Sequence, residues 1–267
     1  MRQPKDVLRQ IVVISTAVFA VIASFVGSGA AGGTPIQDAA GGALSADSTL
    51  IAPAGPAFSI WSVIYAGLIA YAIWQFLPRQ THSPRQRLLG YPVAATLLLN
   101  AAWILSVQAG VLWLSAVVIV VLLAVLAFTF ALVLRSRRTL RTGQGLVESI
   151  VLDGTVGLYL GWVCVATAAN LTAGFMVAGF DGFGWAPDAW GVAIVIVAGL
   201  VGLLLAVAGR GRISPALSLC WGLAWLAVSR ITGELVSQPV AVTAIATAAV
   251  VLVATVAIRL TADRADR

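Results

Sequence analysis

LWLSAVVIVVLLAVLAFTFALVL, residues 112–134, runs from just after a turn signal at Gly110 to the charge at Arg135 without one ionisable side chain. A helix needs roughly 20 apolar residues to cross the hydrocarbon core, because each backbone polar group must be satisfied inside the segment. This stretch meets that demand. Working outward, so do 91–108, 57–77 and 11–29 on one side and 150–173, 189–208, 215–232 and 240–259 on the other. Gly, Pro or charge marks the breaks, as at Pro78, Gly110, Arg135, Pro187, Gly209 and Pro239. The reading predicts an all-α integral membrane protein with about eight transmembrane helices.

Composition agrees. The 267 residues are 60% hydrophobic and only 10% charged, and the mean hydropathy is +1.00, which excludes a soluble domain with a water-facing surface. A net charge of +6 would suit a nucleic-acid binder only if the basic residues clustered on a folded surface. They lie instead in the gaps between apolar runs. Cys164 and Cys220 fall inside spans and read as small packing residues. His82 is the single histidine and sits in a basic loop, so neither a His-based metal site nor a Ser-His-Asp arrangement is expected in the membrane.

Cytoplasmic loops retain Lys and Arg, and here every second gap is basic. One set of flanks holds Arg2, Lys5 and Arg9, then Arg79, Arg85 and Arg87, then Arg135, Arg137, Arg138 and Arg141, then Arg210 and Arg212, then Arg259, Arg264 and Arg267. The other holds Asp38, Asp47, the turn at Gly110, Asp181 and Asp188, with Arg230 as its one basic residue. Both termini are therefore expected in the cytoplasm. The first span, basic at its start and followed by small residues to Gly33, is expected to be retained, a secretory signal cleaved near Ala31 being the alternative.

Polar and aromatic residues well inside a span need a partner or a purpose. In the fifth span Tyr159, Trp162, Ala166 and Asn170 recur at three, four and four, which at about 100° per residue places them on one stripe about 80° wide. Asn100 and Trp103 share a face of the third span, and Trp61 and Tyr65 a face of the second. These residues define either an outward-opening pocket, with the small Ala166 leaving room for a ligand, or interhelical packing. Trp74 and Trp113 read as interfacial anchors. Asp153, near the cytoplasmic start of the fifth span, is within reach of water or of the basic loop at 135–141, a proton-relay role being the alternative. Arg230 and Glu234, four apart, read as a surface pair. Ala198, Gly202 and Ala206 form a small-residue packing stripe in the sixth span.

At these residues the chain resembles the tryptophan-rich sensory protein or translocator protein family (TspO/MBR, peripheral benzodiazepine receptor-like). The similarity is carried by FVGS at 25–28, APAGPAFSIWSVIY at 52–65, LNAAW at 99–103 and YLGWVCVATAAN at 159–170, over about residues 12–175. It implies a five-helix bundle over 1–175, to which 176–267 adds a three-helix extension. It also implies an outer-face pocket for porphyrin- or haem-type ligands, lined by Trp61, Tyr65, Asn100, Trp103, Trp162, Ala166 and Asn170 and covered by the loop at 30–55. Three departures stand out: Ser59 and Leu158 occupy positions that are proline in the family, and the aromatic-basic sterol-recognition segment after Asn170 is missing, so sterol binding is not implied.

The expected function is therefore binding of a tetrapyrrole or other flat apolar ligand, in a sensing, regulatory or transport role, with no catalysis and no metal. A secondary transporter or efflux permease for a small apolar solute is the alternative; the scarcity of intramembrane charges and the lack of an evident inverted repeat argue against ion-coupled transport and leave passive efflux open. An enzyme degrading its bound pigment is a third reading, without an acid-base pair to support it. Expected partners are the lipid bilayer and the ligand, not nucleic acid, with a homodimer left open. The expected location is a bacterial plasma membrane.

Overall fold

A computed structural model describes residues 3–29, 34–36, 38–139 and 145–265, apart from the side chains of Arg138 and Ala265. Arg2, Arg141 and Arg267 of the basic flanks, and Ala31 at the alternative cleavage point, lie outside the described residues. Eight long helices follow one another: α1 Pro4–Gly27, α2 Ile60–Phe76, α3 Pro84–Gln108, α4 Leu112–Thr139, α5 Thr155–Val177, α6 Pro187–Ala208, α7 Ile213–Thr232 and α8 Gln238–Ala265. The chain is an all-α integral membrane protein. Val117, Leu200, Leu204 and Val253 are each at least 60% exposed, as suits side chains that face lipid.

Seven of these helices are long and apolar enough to cross a bilayer, and α7 is the exception to the eight expected. Its apolar run is diluted by Ser214, Pro215, Ser218, Ser229 and Arg230. Ser218, Ser229 and Arg230 are buried in protein, so packing rather than hydropathy holds α7 in place.

Turn chemistry sets the reversals. Gly110 adopts φ +72°, and Val111 N donates to Ser106 O at 3.0 Å, which closes α3 and turns the chain into α4 within a few residues. Gly211, also at φ +72°, does the same after α6, its N–H bonding Ala206 O at 2.8 Å.

One apolar core joins α1 to α5 around Val13, Leu68, Leu97, Leu126 and Leu160. A second joins Val195, Leu219, Leu223 and Val251 of α6–α8 to Val165 of α5. Glycines bring α5 and α7 together: a Cβ at Gly161 would overlap Pro215 O and Ser218 Oγ, and one at Gly157 would overlap Ser214 Oγ. The small-residue stripe of α6 meets α8. Val251 would stand 3.0 Å from a Cβ at Gly202, and Ala206 is buried, but Ala198 is only partly so and Gly191 and Gly199 complete the contact line.

The basic segments gather at one end. Arg9 donates to Thr81 O at 3.2 Å, Arg87 pairs with Asp6 at 2.6 Å, and Arg85 of α3 pairs with Asp153 at 2.5 Å. The loop between α1 and α2 lies at the other end, beside the C-terminal end of α7. The surface pair expected of Arg230 and Glu234 does not form. Helix α7 ends at Thr232, and Gly233 is extended (φ −80°, ψ −176°), so Glu234 leaves the helical register. Arg230 turns inward, fully buried, and donates to Ala46 O at 2.5 Å.

Candidate functional site

The α2, α3 and α5 residues singled out by helical spacing converge around Trp61. Its ring stacks on Trp103 (centroids 6.1 Å, 29°), tilts against Tyr65 at 5.6 Å, and receives Tyr159 and Trp162 edge-on at 5.8 and 6.2 Å. These are favourable aromatic geometries. Tyr65 donates its hydroxyl to Asn100 Oδ1, which joins α2 to α3. Asn170 is tied to α4, its Nδ2 donating to Ser115 Oγ at 3.2 Å while that hydroxyl donates back to Asn170 Oδ1 at 3.3 Å.

The single expected pocket is divided in two. An inner cavity of about 30 Å³ is bordered by Trp61, Trp103, Trp162, Ala166 and Asn170, and by Leu44, Ser48, Ala52 and Pro53 of the α1–α2 loop. A cavity of about 420 Å³ lies on the other side of Trp61, between α1 and α2, bordered by Tyr65, Trp103, Ser24, Phe25, Ser62 and Ile104 among others. Only the larger is in the size range of small-molecule sites; the inner one has room for little more than water. Trp61, Trp103 and Phe58 border both. Asn100 borders neither cavity and acts behind Tyr65. Of the seven sequence-derived residues, two therefore face both spaces, Tyr65 faces the larger, three face the smaller, and Asn100 supports.

Phe58 was not legible in the helical pattern. It sits on the tight turn Gly55–Ser59 before α2, where a 3.6-residue period has not begun, and packs edge-on against Trp162 at 5.9 Å. Three buried donors at this site, Trp103 Nε1, Trp162 Nε1 and Asn100 Nδ2, have no acceptor among the described residues. Buried polar groups without a partner are uncommon and costly.

A second polar cluster closes the basic end. Asp153, on the wide turn Ser149–Gly154 that leads into α5, takes Arg85 and Arg137, with Arg212 at 4.0 Å. Arg85 also pairs with Glu148 at 3.1 Å. Arg212 lies outside the spans, and its burial, reinforced by repulsion from Arg137, pulls its guanidinium down to about 10. Asp153 is thus served by arginine, as its position near the basic loop suggested. Among the described residues no group of His, Cys, Asp and Glu is placed to hold a metal.

The fold and this aromatic-walled site define a polytopic membrane protein with an intramembrane cavity between helices. The chain belongs to the TSPO-like protein family, whose sequence model matches residues 12–257. That match runs past the 12–175 over which the motifs are recognisable and takes in α6, α7 and most of α8. No curated protein and no solved structure matches the chain.

Proposed function

We propose that this protein binds a flat, largely apolar ligand of tetrapyrrole type against the Trp61–Trp103 wall, in the larger cavity, from the outer half of the membrane, and serves as a sensor, regulator or carrier of it. The observation that carries this reading is the unpaired N–H of Trp103. Trp103 borders the larger cavity and its Nε1 has no acceptor among the described residues, so the matching ligand presents an acceptor oxygen, carbonyl or carboxylate, on the rim of an apolar body. The cavity wall suits the body of such a molecule: Trp61 and Trp103 offer faces for stacking, while the hydroxyl of Tyr65 and the nearby Ser24 and Ser62 offer polar contacts. We also propose that 1–175 forms the ligand-binding unit, that 176–267 supports it, and that both termini face the cytoplasm of a bacterial plasma membrane, the basic end described above supporting the orientation.

The test is a titration of a carboxylate-bearing porphyrin into the purified protein, followed by the shift of the porphyrin absorption band. Trp103→Phe keeps a ring and removes the N–H. It is expected to weaken binding about two- to tenfold, the worth of one hydrogen bond. A Trp103→Phe variant that binds as tightly as the parent overturns the assignment.

A further inference from the structure

Helices α6, α7 and α8 contribute no residue to either cavity. What α7 does touch is the loop between α1 and α2. Arg230 donates to Ala46 O at 2.5 Å and is steadied by Ser229 Oγ at 2.7 Å. Trp221 Nε1 donates to Ala57 O at 2.9 Å, and Trp225 O accepts from Ala54 N at 3.1 Å. All three loop contacts are to backbone, so they fix the path of the loop whatever its side chains. They also bracket the stretch that matters, because Ser48, Ala52 and Pro53, which border the inner cavity beneath, lie between Ala46 and Ala54. Between them Ile51 is buried in the second core, with Leu50 packed against it. The anchors sit on one rigid element, Trp221 and Arg230 being about 13.5 Å apart along the helix axis.

Arg230 is the informative residue. It is completely buried, its Nε and Nη1 have no hydrogen-bond partner among the described residues, and its side-chain hydrogen bond beyond its own helix turn goes to a loop carbonyl, Ala46 O. A guanidinium in such a place is expensive, and plain packing would be served better by an apolar side chain.

We propose that α7 is a clamp on the α1–α2 loop: Arg230 and Trp221 act as positioning residues that hold residues 46–57 over the inner cavity and, through Ala57, fix the adjoining Phe58, which borders both cavities, and so set how fast a ligand reaches and leaves the tryptophans. The effect on exchange rests on the ligand-binding reading above; the clamp itself does not.

Amide hydrogen exchange of the full chain in lipid nanodiscs, read by mass spectrometry, tests the clamp without a ligand. In Arg230→Ala and in Trp221→Phe, peptides covering 43–57 are expected to exchange about tenfold faster while those of α3 and α4 stay at parental rates, and Arg230→Lys is expected to restore part of the protection. Unchanged exchange over 43–57 in the Arg230→Ala, Trp221→Phe double variant overturns the clamp, and so does acceleration spread evenly over every helix of the Trp221→Phe protein. Stopped-flow mixing with the same carboxylate porphyrin then tests the consequence. Association and dissociation rates should both rise about tenfold with the dissociation constant unchanged within about twofold, the signature of a gate rather than of lost contacts. Faster loop exchange with unaltered porphyrin rates overturns the gating role. Faster loop exchange with no porphyrin binding by any variant supports the clamp and overturns the ligand reading.

Discussion

At the scale of the residue, two asparagines that look equivalent in sequence have different work. Asn170 exchanges two hydrogen bonds with Ser115 and locks α5 to α4, whereas Asn100 accepts from Tyr65 and keeps an unpaired amide N–H. Ser115→Ala is therefore expected to cost stability, about 0.6–1.7 kcal/mol for an interhelical polar contact, seen as a lower melting temperature in detergent, with porphyrin affinity unchanged. Asp153→Asn should cost more, up to about 3–5 kcal/mol, because the carboxylate shared by Arg85 and Arg137 would be lost and Arg85 would keep only Glu148. A melting temperature equal to the parent's would show that the arginines find other partners. The stripe of Tyr159, Trp162, Ala166 and Asn170 was legible because a helix repeats every 3.6 residues, and the same rule placed Trp61 with Tyr65 and Asn100 with Trp103. It failed where the helix stops. Arg230 and Glu234 satisfy the four-residue rule on paper, but the chain turns extended at Gly233, and no periodicity reports that break.

At the scale of the element, apolar length located all eight helices because the bilayer imposes it, but α7 falls short of the other seven in apolar character, and its polar residues Ser218, Ser229 and Arg230 face protein. How the elements meet was less visible. Gly157 and Gly161 are spaced as a small-residue contact motif in plain sight on α5, yet the aromatic stripe of the same helix drew the reading toward the other face. The structure gives each face its role: Trp162 looks toward α2, and Gly161 admits the start of α7. Gly161→Leu is expected to force α7 away from α5, at more than the about 1–3 kcal/mol of ordinary overpacking, because the atoms it meets include a backbone carbonyl. Gly174→Ala on the same helix is the contrast, since the nearest atom to its Cβ would be Trp113 Cζ3 at 4.0 Å. That variant should melt at or above the parental temperature, helped by the helix propensity of alanine, worth about 1 kcal/mol over glycine. Equal melting of the two variants would mean that the α5–α7 contact carries no stability.

At the scale of the whole molecule, the packing fixes which ends of the helices lie together, and the charge pattern is the argument for the cytoplasmic side proposed for the basic end. The start of α1, the α2–α3 loop, the start of α5, the α6–α7 turn and the end of α8 all meet at one end: Asp6 holds Arg87, Asp153 has Arg85 and Arg212 around it, and Gly211 abuts the backbone of Arg259. That arrangement requires an even number of crossings, and hence requires α7 to cross even though its composition alone would not send it through a bilayer. Reporter fusions decide the matter. A fluorescent protein that matures only in the cytoplasm should be bright when fused after α8, and alkaline phosphatase should be inactive there. The same phosphatase inserted in the α5–α6 loop near Gly184, whose aromatic neighbours Phe183 and Trp185 are 77% and 62% exposed, should be active. Phosphatase activity at both positions would mean that α7 does not cross and that α8 runs the other way, which the contact of Gly211 with Arg259 forbids. Activity after α8 alone would keep the fold and invert its orientation, so that the basic end, with arginines 85, 137 and 212 around one aspartate, would face outward against the rule that retains such loops in the cytoplasm.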